Sequence, residues 1–350
     1  MCSDIRIPER YDLLGLTQDD LIHYFKSLGE KSFRAKQFLK WAYRFRLRDF
    51  EPMTDMPIPL RAKLSERAKI GRLKIDEAVK SGDGATKLAL ELEDGHVVEA
   101  VHIPAGNRDT ACISSQVGCA YKCKFCATGE IGFIRNLNSG EIVGQLLALE
   151  EHLGVSMTNI VFMGMGEPLN NLEQVMRVLE LFADDNAFGL GHRRVTISTV
   201  GIPKKIKELQ KSGLKPKLAI SLNAPNDDLR KVLMPRAAKI ATIVEILEAA
   251  SRYAINTGRW FTVEYVLIRG VNDSISHADI LAQIIHDMPC KVNLIAYNAY
   301  SGGQYLPPVP EAVTKFQGYL MSAGITATLR ESKGQSISAA CGMLYRSNIK

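Results

Sequence analysis

An α/β fold built of repeated strand–helix units is what this 350-residue sequence predicts, and three observations lead there. Short apolar, β-rich segments recur between residues 111 and 330, helical patterns separate nearly all of them, and polar or cysteine-bearing motifs follow the segments at one common end. Such alternation gives a parallel sheet that stays open or curls into a barrel, with ligands held beyond the C-terminal ends of the strands.

Residues 1–72 are predicted to be helical and separate from the rest of the chain. Thr17-Gln-Asp-Asp is an N-cap opening for Leu21 to Leu28, Phe33 to Phe45 has helical spacing, and Pro57 starts a third helix. Lys31, Arg34, Lys36, Lys40, Arg44, Arg46 and Arg48 occur in one stretch without an acid, interleaved with Phe33, Phe38, Trp41, Tyr43 and Phe45. Two readings fit: a solvated face over a packed aromatic stripe, or a surface that neutralises phosphates and stacks on bases. Residues 73–107 then alternate with period two on either side of a turn at Asp94-Gly95, which predicts a β-hairpin extension.

From residue 108 to 350 strands are expected at Ala111–Val117, Asn159–Met163, Arg194–Thr199, Lys217–Leu222, Phe261–Ile268, Lys291–Tyr297 and Ile325–Arg330. Helices are expected at Glu141–His152, Leu172–Asp184, Pro203–Ser212, Ile243–Asn256, His277–Asp287 and Glu311–Ala323. In this frame Cys119 to Cys126 follow the first strand, Gly164-Met-Gly-Glu-Pro the second and Asn298 the sixth, while Ser198-Thr199 and Ser221-Leu-Asn223 end the third and fourth.

A 46% hydrophobic share is ample for a buried core, and no run of eighteen apolar residues suggests a membrane span. The opening Met1 to Arg10 lacks the apolar stretch of a signal peptide, so the cytoplasm is the expected compartment. The balance of 44 basic against 38 acidic residues permits an anionic partner without requiring one. Seven cysteines, three of them in the eight positions from Cys119 to Cys126, suit a metal site better than a disulfide framework.

Spacing alone leaves three uses for Cys119-x-x-x-Cys123-x-x-Cys126. Zinc would need a fourth ligand, which Cys112 or a histidine could supply. A redox pair would use Cys123 and Cys126 and leave Cys119 unexplained. A four-iron cluster with one open iron uses all three. Taken alone, Cys112 and Cys341 read as small buried residues, Glu99 as a water-facing strand residue, and Gly164-x-Gly166 as a plain turn.

The triplet resembles the signature of radical S-adenosylmethionine (SAM) enzymes. Cys112-Ile-Ser-Ser-Gln-Val-Gly-Cys119, Cys126-Ala-Thr-Gly, Phe162-Met-Gly-Met-Gly-Glu-Pro168, Arg193-Arg-Val-Thr-Ile-Ser-Thr199, Ser221-Leu-Asn-Ala-Pro-Asn226, Gly270-Val-Asn-Asp273 and Ala339-Ala-Cys-Gly342 resemble the RlmN/Cfr class of RNA methyltransferases more closely still. That resemblance runs from about Val97 to Tyr345, and the helical start is similar to the class's accessory domain. Asn223, Ser336 and Met343 depart from its His, Asp and Gln.

The resemblance implies a radical-SAM partial (βα)6 barrel and a [4Fe-4S] cluster on Cys119, Cys123 and Cys126 whose open iron binds SAM. It implies SAM contacts from Gly166, Glu167, Ser198, Ser221, Leu222, Asn223 and Asn298. It also implies two SAM molecules per turnover: one methylates Cys341, and the other is cleaved to a radical that takes hydrogen from the S-methyl group. The methylene radical then attacks carbon 2 of an adenine, Glu99 removes the proton, and Cys112 attacks the sulfur of Cys341 to release the RNA and leave a disulfide. Cys112 and Cys341 must therefore approach within disulfide reach, about 7 Å between Cα atoms.

The implied partners are 23S rRNA and tRNA and an electron donor of flavodoxin or ferredoxin type, with the enzyme a monomer and the basic Lys31–Arg48 stretch its RNA grip. Carbon-8 methylation of the same rRNA adenosine is the alternative within this chemistry. A zinc-stabilised RNA-binding protein is the alternative outside it, but would have no use for Cys341 or the strand-end residues.

Overall fold

The computed structural model describes residues 10–345, so most of the Met1 to Arg10 stretch read for a signal peptide lies outside the described residues. The chain begins with a helical module. Strand β1 (Tyr11–Asp12) pairs in parallel with β2 (Ala68–Lys69), drawing together the two ends of a segment that holds α1 (Gln18–Ser27), α2 (Arg34–Leu39) and α3 (Ile58–Arg67). Thr17 and Asp20 form a capping box at the start of α1, as the Thr17 opening predicts. The helix expected over Phe33–Phe45 runs as α2 and then a π-helical turn over Lys40–Arg44.

The aromatic residues of this stretch divide between core and solvent. Phe38 and Tyr43 are buried, Phe38 against Phe25 and Phe50, whereas Phe33 and Phe45 are exposed. Of the basic residues, Arg34, Arg46 and Arg48 pair with Glu30, Glu150 and Glu151. Lys31, Lys36, Lys40 and Arg44 are exposed and have no ion pair within the described residues. The module seats tightly on the barrel: Gly15 has φ +83°, and a Cβ there would lie 2.1 Å from the backbone nitrogen of Gly140.

Ten strands form the main sheet. β3 (Lys74–Lys80), β4 (Thr86–Glu91), β5 (Val97–Ala105) and β6 (Arg108–Cys112) run antiparallel in turn. β7 (Gln116–Gly118) and β8 (Phe133–Asn136) form a small separate ribbon. The sheet then continues from β6 through β9 (Asn159–Phe162), β10 (Val195–Thr199), β11 (Lys217–Ser221), β12 (Phe261–Leu267), β13 (Cys290–Ala296) and β14 (Ala327–Arg330), all parallel.

The intervening helices are α4 (Thr128–Ile131), α5 (Ser139–Leu153), α6 (Leu172–Ala183), α7 (Pro203–Lys211), α8 (Asp227–Leu233), α9 (Ile243–Thr257), α10 (Ile275–Ile285) and α11 (Pro310–Ser322). Six strand-to-strand crossovers thus join seven parallel strands laid down in order. The sheet stays open because β3 and β14 form its two edges. The segment after β14 returns across the opening. Lys333 Nζ donates to Pro104 O at 2.7 Å, and Gly334 N to Asp83 Oδ2 at 2.8 Å.

Three expectations are corrected. The hairpin is a run of three antiparallel strands, and it belongs to the main sheet because β5 pairs with β6, Val101 opposite Cys112. The first parallel strand does not reach Val117: it stops at Cys112 because Ser114 turns out of the ladder. Its hydroxyl donates to Glu99 O at 2.7 Å and accepts from Met165 N, while its own N–H donates to Gln145 Oε1. Helix α8 was not expected; it is a short helix whose N-cap, Asn226, accepts from Leu229 N.

Candidate active site

A cavity of about 920 Å³, counting its open mouth, lies beyond the C-terminal ends of the parallel strands. Cys119, Cys123, Cys126, Gly166, Glu167, Ser198, Ser221, Asn223, Asn298 and Cys341 all line it. The strand-end placement read from the sequence therefore brings these residues together. Leu222 is the exception: it is fully buried in the hydrophobic core and offers the cavity no side chain.

The glycine-rich turn after β9 is shaped by close packing. Gly166 has φ +94°, and a Cβ there would lie 2.5 Å from Gln116 Cβ and 2.9 Å from Gln116 N. Gly166→Ala is expected to cost about 1–3 kcal/mol from backbone strain alone and to displace the Glu167 turn. A lowered denaturation midpoint in chemical unfolding checks this.

Glu167 is buried, and its carboxylate accepts from Leu169 N at 3.0 Å through Oε1 and from Val200 N at 2.8 Å through Oε2. Burial pushes its pKa up to about 7 against the pull of these bonds. A ligand ammonium would supply the opposite charge that the site lacks. Across the cavity the Ser198 and Ser221 hydroxyls stand 3.2 Å apart at the ends of neighbouring strands.

Two asparagines are already engaged. Asn223, in the left-handed region at φ 60°, accepts from Val266 N at 3.0 Å and directs its Nδ2 at Met234 Sδ. Its backbone carbonyl accepts from Asn272, whose side chain braces the Gly270-Val-Asn-Asp turn. Asn298 Nδ2 donates to Cys341 O at 3.1 Å, and its Oδ1 accepts from Gln335 at 2.7 Å. It fastens the C-terminal loop to the end of β13.

Burial raises the thiol pKa values of Cys119, Cys123 and Cys126; the Cys126 thiolate adds to the shift of the first two and Cys341 to that of the third, so a cationic guest is needed to hold all three ionised. Among the described residues, no three Cys, His, Asp or Glu side chains are drawn together tightly enough to hold a single metal ion. A four-iron cluster is a bulkier guest whose ligands stand further apart, and three thiols around one cavity suit it.

Cys341 also lines a second, smaller cavity together with Cys112, Met163 and Arg330. Both cysteines are free. Cys112 is buried, which pushes its thiol up to about 12; the nearby Cys341 adds to the shift, while the Arg330 guanidinium and the Met163 N–H oppose it. The loop carrying Cys341 rests on the cysteine-triplet loop: Ala127 N donates to Gly342 O at 2.8 Å and Thr128 Oγ1 to Leu344 O at 2.6 Å.

Glu99 does not face water. It is 2% exposed, and Oε1 pairs with Lys87 Nζ at 2.8 Å while Oε2 has no partner among the described residues. It shares a sheet face with Cys112, because Cys112 lies opposite Val101, two residues further along β5.

Other residues of the site carry no local signal in the sequence. Gln116 accepts from Glu167 N at 2.8 Å and donates to Asn136, fixing the turn. Glu264 lines the cavity and accepts from Asn293 at 2.9 Å. Only their position under the glycine-rich turn and on an inward strand face could have marked them.

The radical SAM superfamily model matches residues 113–279, and the model of the ribosomal RNA large subunit methyltransferase N-terminal domain matches residues 11–70. Fold and cavity are those of a radical SAM enzyme, whose cofactors are a [4Fe-4S] cluster and SAM. The dual-specificity RNA methyltransferase RlmN of Nitratidesulfovibrio vulgaris (strain DP4) is 44% identical, covering 97% of this chain and 96% of its own. That of Halorhodospira halophila is 44% identical, covering 95% and 93%. A radical SAM methyltransferase from Sphaerobacter thermophilus superposes with a TM-score of 0.90 at 41% identity, covering 95% of this chain and 99% of that one. The chain belongs to the RlmN family of radical SAM RNA methyltransferases.

Proposed function

We propose that this enzyme methylates carbon 2 of adenine in 23S rRNA and tRNA through an S-methylcysteine at Cys341. The observation that carries the reading is the place of Cys341, which lines both the cavity of the cysteine triplet and Glu167 and the small cavity of Cys112. A methyl carrier must visit SAM on one side and a resolving thiol on the other.

Cys119, Cys123 and Cys126 are assigned to the cluster, and Gly166, Glu167, Ser198 and Ser221 to SAM, with Glu167 accepting its ammonium and the serines its hydroxyl groups. When bound, these cofactors supply the one-electron chemistry that attack at a non-nucleophilic adenine carbon requires. Asn298 holds the Cys341 carbonyl, so the thiol is presented from a tethered loop. Asn223 and Leu222 take part through the backbone around them. Glu99, with one free carboxylate oxygen, accepts the adenine proton, and Lys87 steadies its charge. The Cys112 thiolate then attacks the Cys341 sulfur: a disulfide forms, the bond from that sulfur to the methylene carbon breaks, and the carbon takes up a proton to leave methylated RNA.

An electron donor of flavodoxin or ferredoxin type, a monomeric enzyme and a cytoplasmic location complete the reading. Among the described residues no helix is long and apolar enough to cross a membrane.

Mass spectrometry of nucleosides from treated rRNA and tRNA tests the regiochemistry: 2-methyladenosine is expected, and 8-methyladenosine would replace the reading by the carbon-8 one. Lys36, Lys40 and Arg44 are exposed and form no ion pair among the described residues, and the Lys40 ammonium lies over the exposed Phe45 ring. Replacing all three by alanine is expected to weaken RNA binding about tenfold or more at low salt and to lower the salt slope by roughly 2–3. SAM cleavage without RNA should be unchanged; titration of RNA at several salt concentrations checks this.

A further inference from the structure

Arg230 is 0% exposed and heads the fully buried side chains by size. It sits in the middle of α8, behind the cysteine-triplet loop, to which the helix is tied by a bond from Lys124 N to Leu233 O at 2.9 Å. Its Nη2 donates to Val200 O, while Nε and Nη1 have no partner among the described residues. Leu229, Leu233 and Met234, which flank Arg230 on the helix, pack in one apolar cluster with Cys119, Cys123 and Val200.

A guanidinium keeps its proton inside a protein, and a buried charge without an opposite charge is strongly disfavoured. Among the described residues no carboxylate pairs with it directly. Glu167 spends both oxygens on Leu169 N and Val200 N, and Asp227 accepts from Ile243 N at 2.9 Å. The two groups whose negative charge favours the guanidinium are Cys123, first, and Asp227.

We propose that Arg230 is the built-in counter-charge of the iron–sulfur site at Cys123, a positioning residue that eases entry of the electron. The inference rests on the assignment of the cluster to Cys119, Cys123 and Cys126. Three thiolates make the loaded site anionic. Reduction moves one electron from a reduced carrier protein, which is oxidised by one electron, into that site and adds one negative charge. A fixed cation in a low-dielectric setting favours the more negative state, so the reduction potential rises. Without the cluster the same cation is unsatisfied, so loading and stability are coupled through Arg230.

The test uses the full-length, anaerobically reconstituted holoenzyme and the variants Arg230→Met, Arg230→Gln and Arg230→Lys, with potentials read by EPR-monitored dithionite titration. The Met and Gln variants are expected to shift to more negative potential and to lose iron to a chelator about tenfold faster, while Lys stays near the wild type. Metal-free Arg230→Met should unfold at the same or higher denaturant than metal-free wild type, because an uncompensated charge has gone. Gln keeps a donor for Val200 O, so it carries the test if the Met variant does not fold.

Unmoved potentials in the uncharged variants would overturn the inference. So would a metal-free Met variant that loses as much stability as the loaded one, since Arg230 would then be only a strut for Val200. If wild type failed to take up iron and sulfide, the cluster assignment itself would fall and take this inference with it; normal uptake with unmoved potentials overturns this inference alone.

Discussion

Replacing Cys341 by serine is expected to lower RNA methylation by roughly 10³-fold or more, with neither methylated RNA nor a protein–RNA adduct formed. A serine hydroxyl is nearly the size of the thiol, so the loop bonds from Asn298 to the backbone at residue 341 and from Ala127 to Gly342 should remain. What is lost is the nucleophile. An alcohol at neutral pH does not take a methyl group from SAM without a strong base beside it. SAM carrying a labelled methyl group separates the steps: wild type should carry label on the protein before RNA is added and on RNA afterwards, and the serine variant on neither. Label appearing in RNA at the normal rate would remove Cys341 from the reaction.

Cys112→Ala should have the opposite phenotype. The carrier is methylated and the methylene bridge to the base forms, but nothing breaks the bond to the Cys341 sulfur. The variant is expected to stop after one turnover as a covalent protein–RNA species that survives denaturing electrophoresis and thiol reductant, because its link is a thioether rather than a disulfide. Multiple-turnover activity should fall roughly 10²-fold or more, while the fold loses about 1 kcal/mol or a little more for one sulfur removed from a buried site. Product release at the wild-type rate with no adduct would sink the resolving role.

In wild type, release carries a pH signature. Burial holds the Cys112 thiol at about 12, so at neutral pH it is almost wholly protonated. The thiolate fraction, and with it the release step, should rise about tenfold per pH unit as long as pH stays below that value. Quenched-flow measurement of adduct decay across pH 7 to about 9 reads this directly. A step flat in pH would mean that another group takes the proton as attack occurs.

Much of this architecture is legible in the chain. The helices from α5 onward that were expected stand within a few residues of their predicted bounds because their 3.6-residue apolar stripes run between clear caps, as Asn138 with Glu141 and Thr242 with Glu245 show. The site's location is legible too, since polar motifs placed just after successive parallel strands can only gather at one end of the sheet. The end of the first strand is not legible, because the break at Ser114 comes from bonds to Glu99, Gln145 and Met165, all distant in sequence.

Glu99 is the clearest case of a residue that local pattern misplaces. Alternation in a strand says that it faces away from its apolar neighbours; it does not say whether that face meets water. Here the returning C-terminal segment covers it, with Lys87 held between Glu99 and the Ser338 carbonyl. Arg230 is a second case. In the sequence it stands beside Asp227 and Asp228 in a polar stretch where no helix was expected, yet packing of α8 behind the cysteine loop buries it completely.

The sequence by itself determined which side chains share an element and which follow a strand, because those relations depend only on the period of the backbone. It thereby settled the α/β order, the common strand end of the site and the spacing of Cys119, Cys123 and Cys126. Only the tertiary structure decided what each side chain faces: that Leu222 turns to the core, that Asn223 and Asn298 are held by neighbouring loops, and that Cys112 and Cys341 border one cavity. Those outcomes depend on contacts between distant segments, which spacing along a chain does not encode.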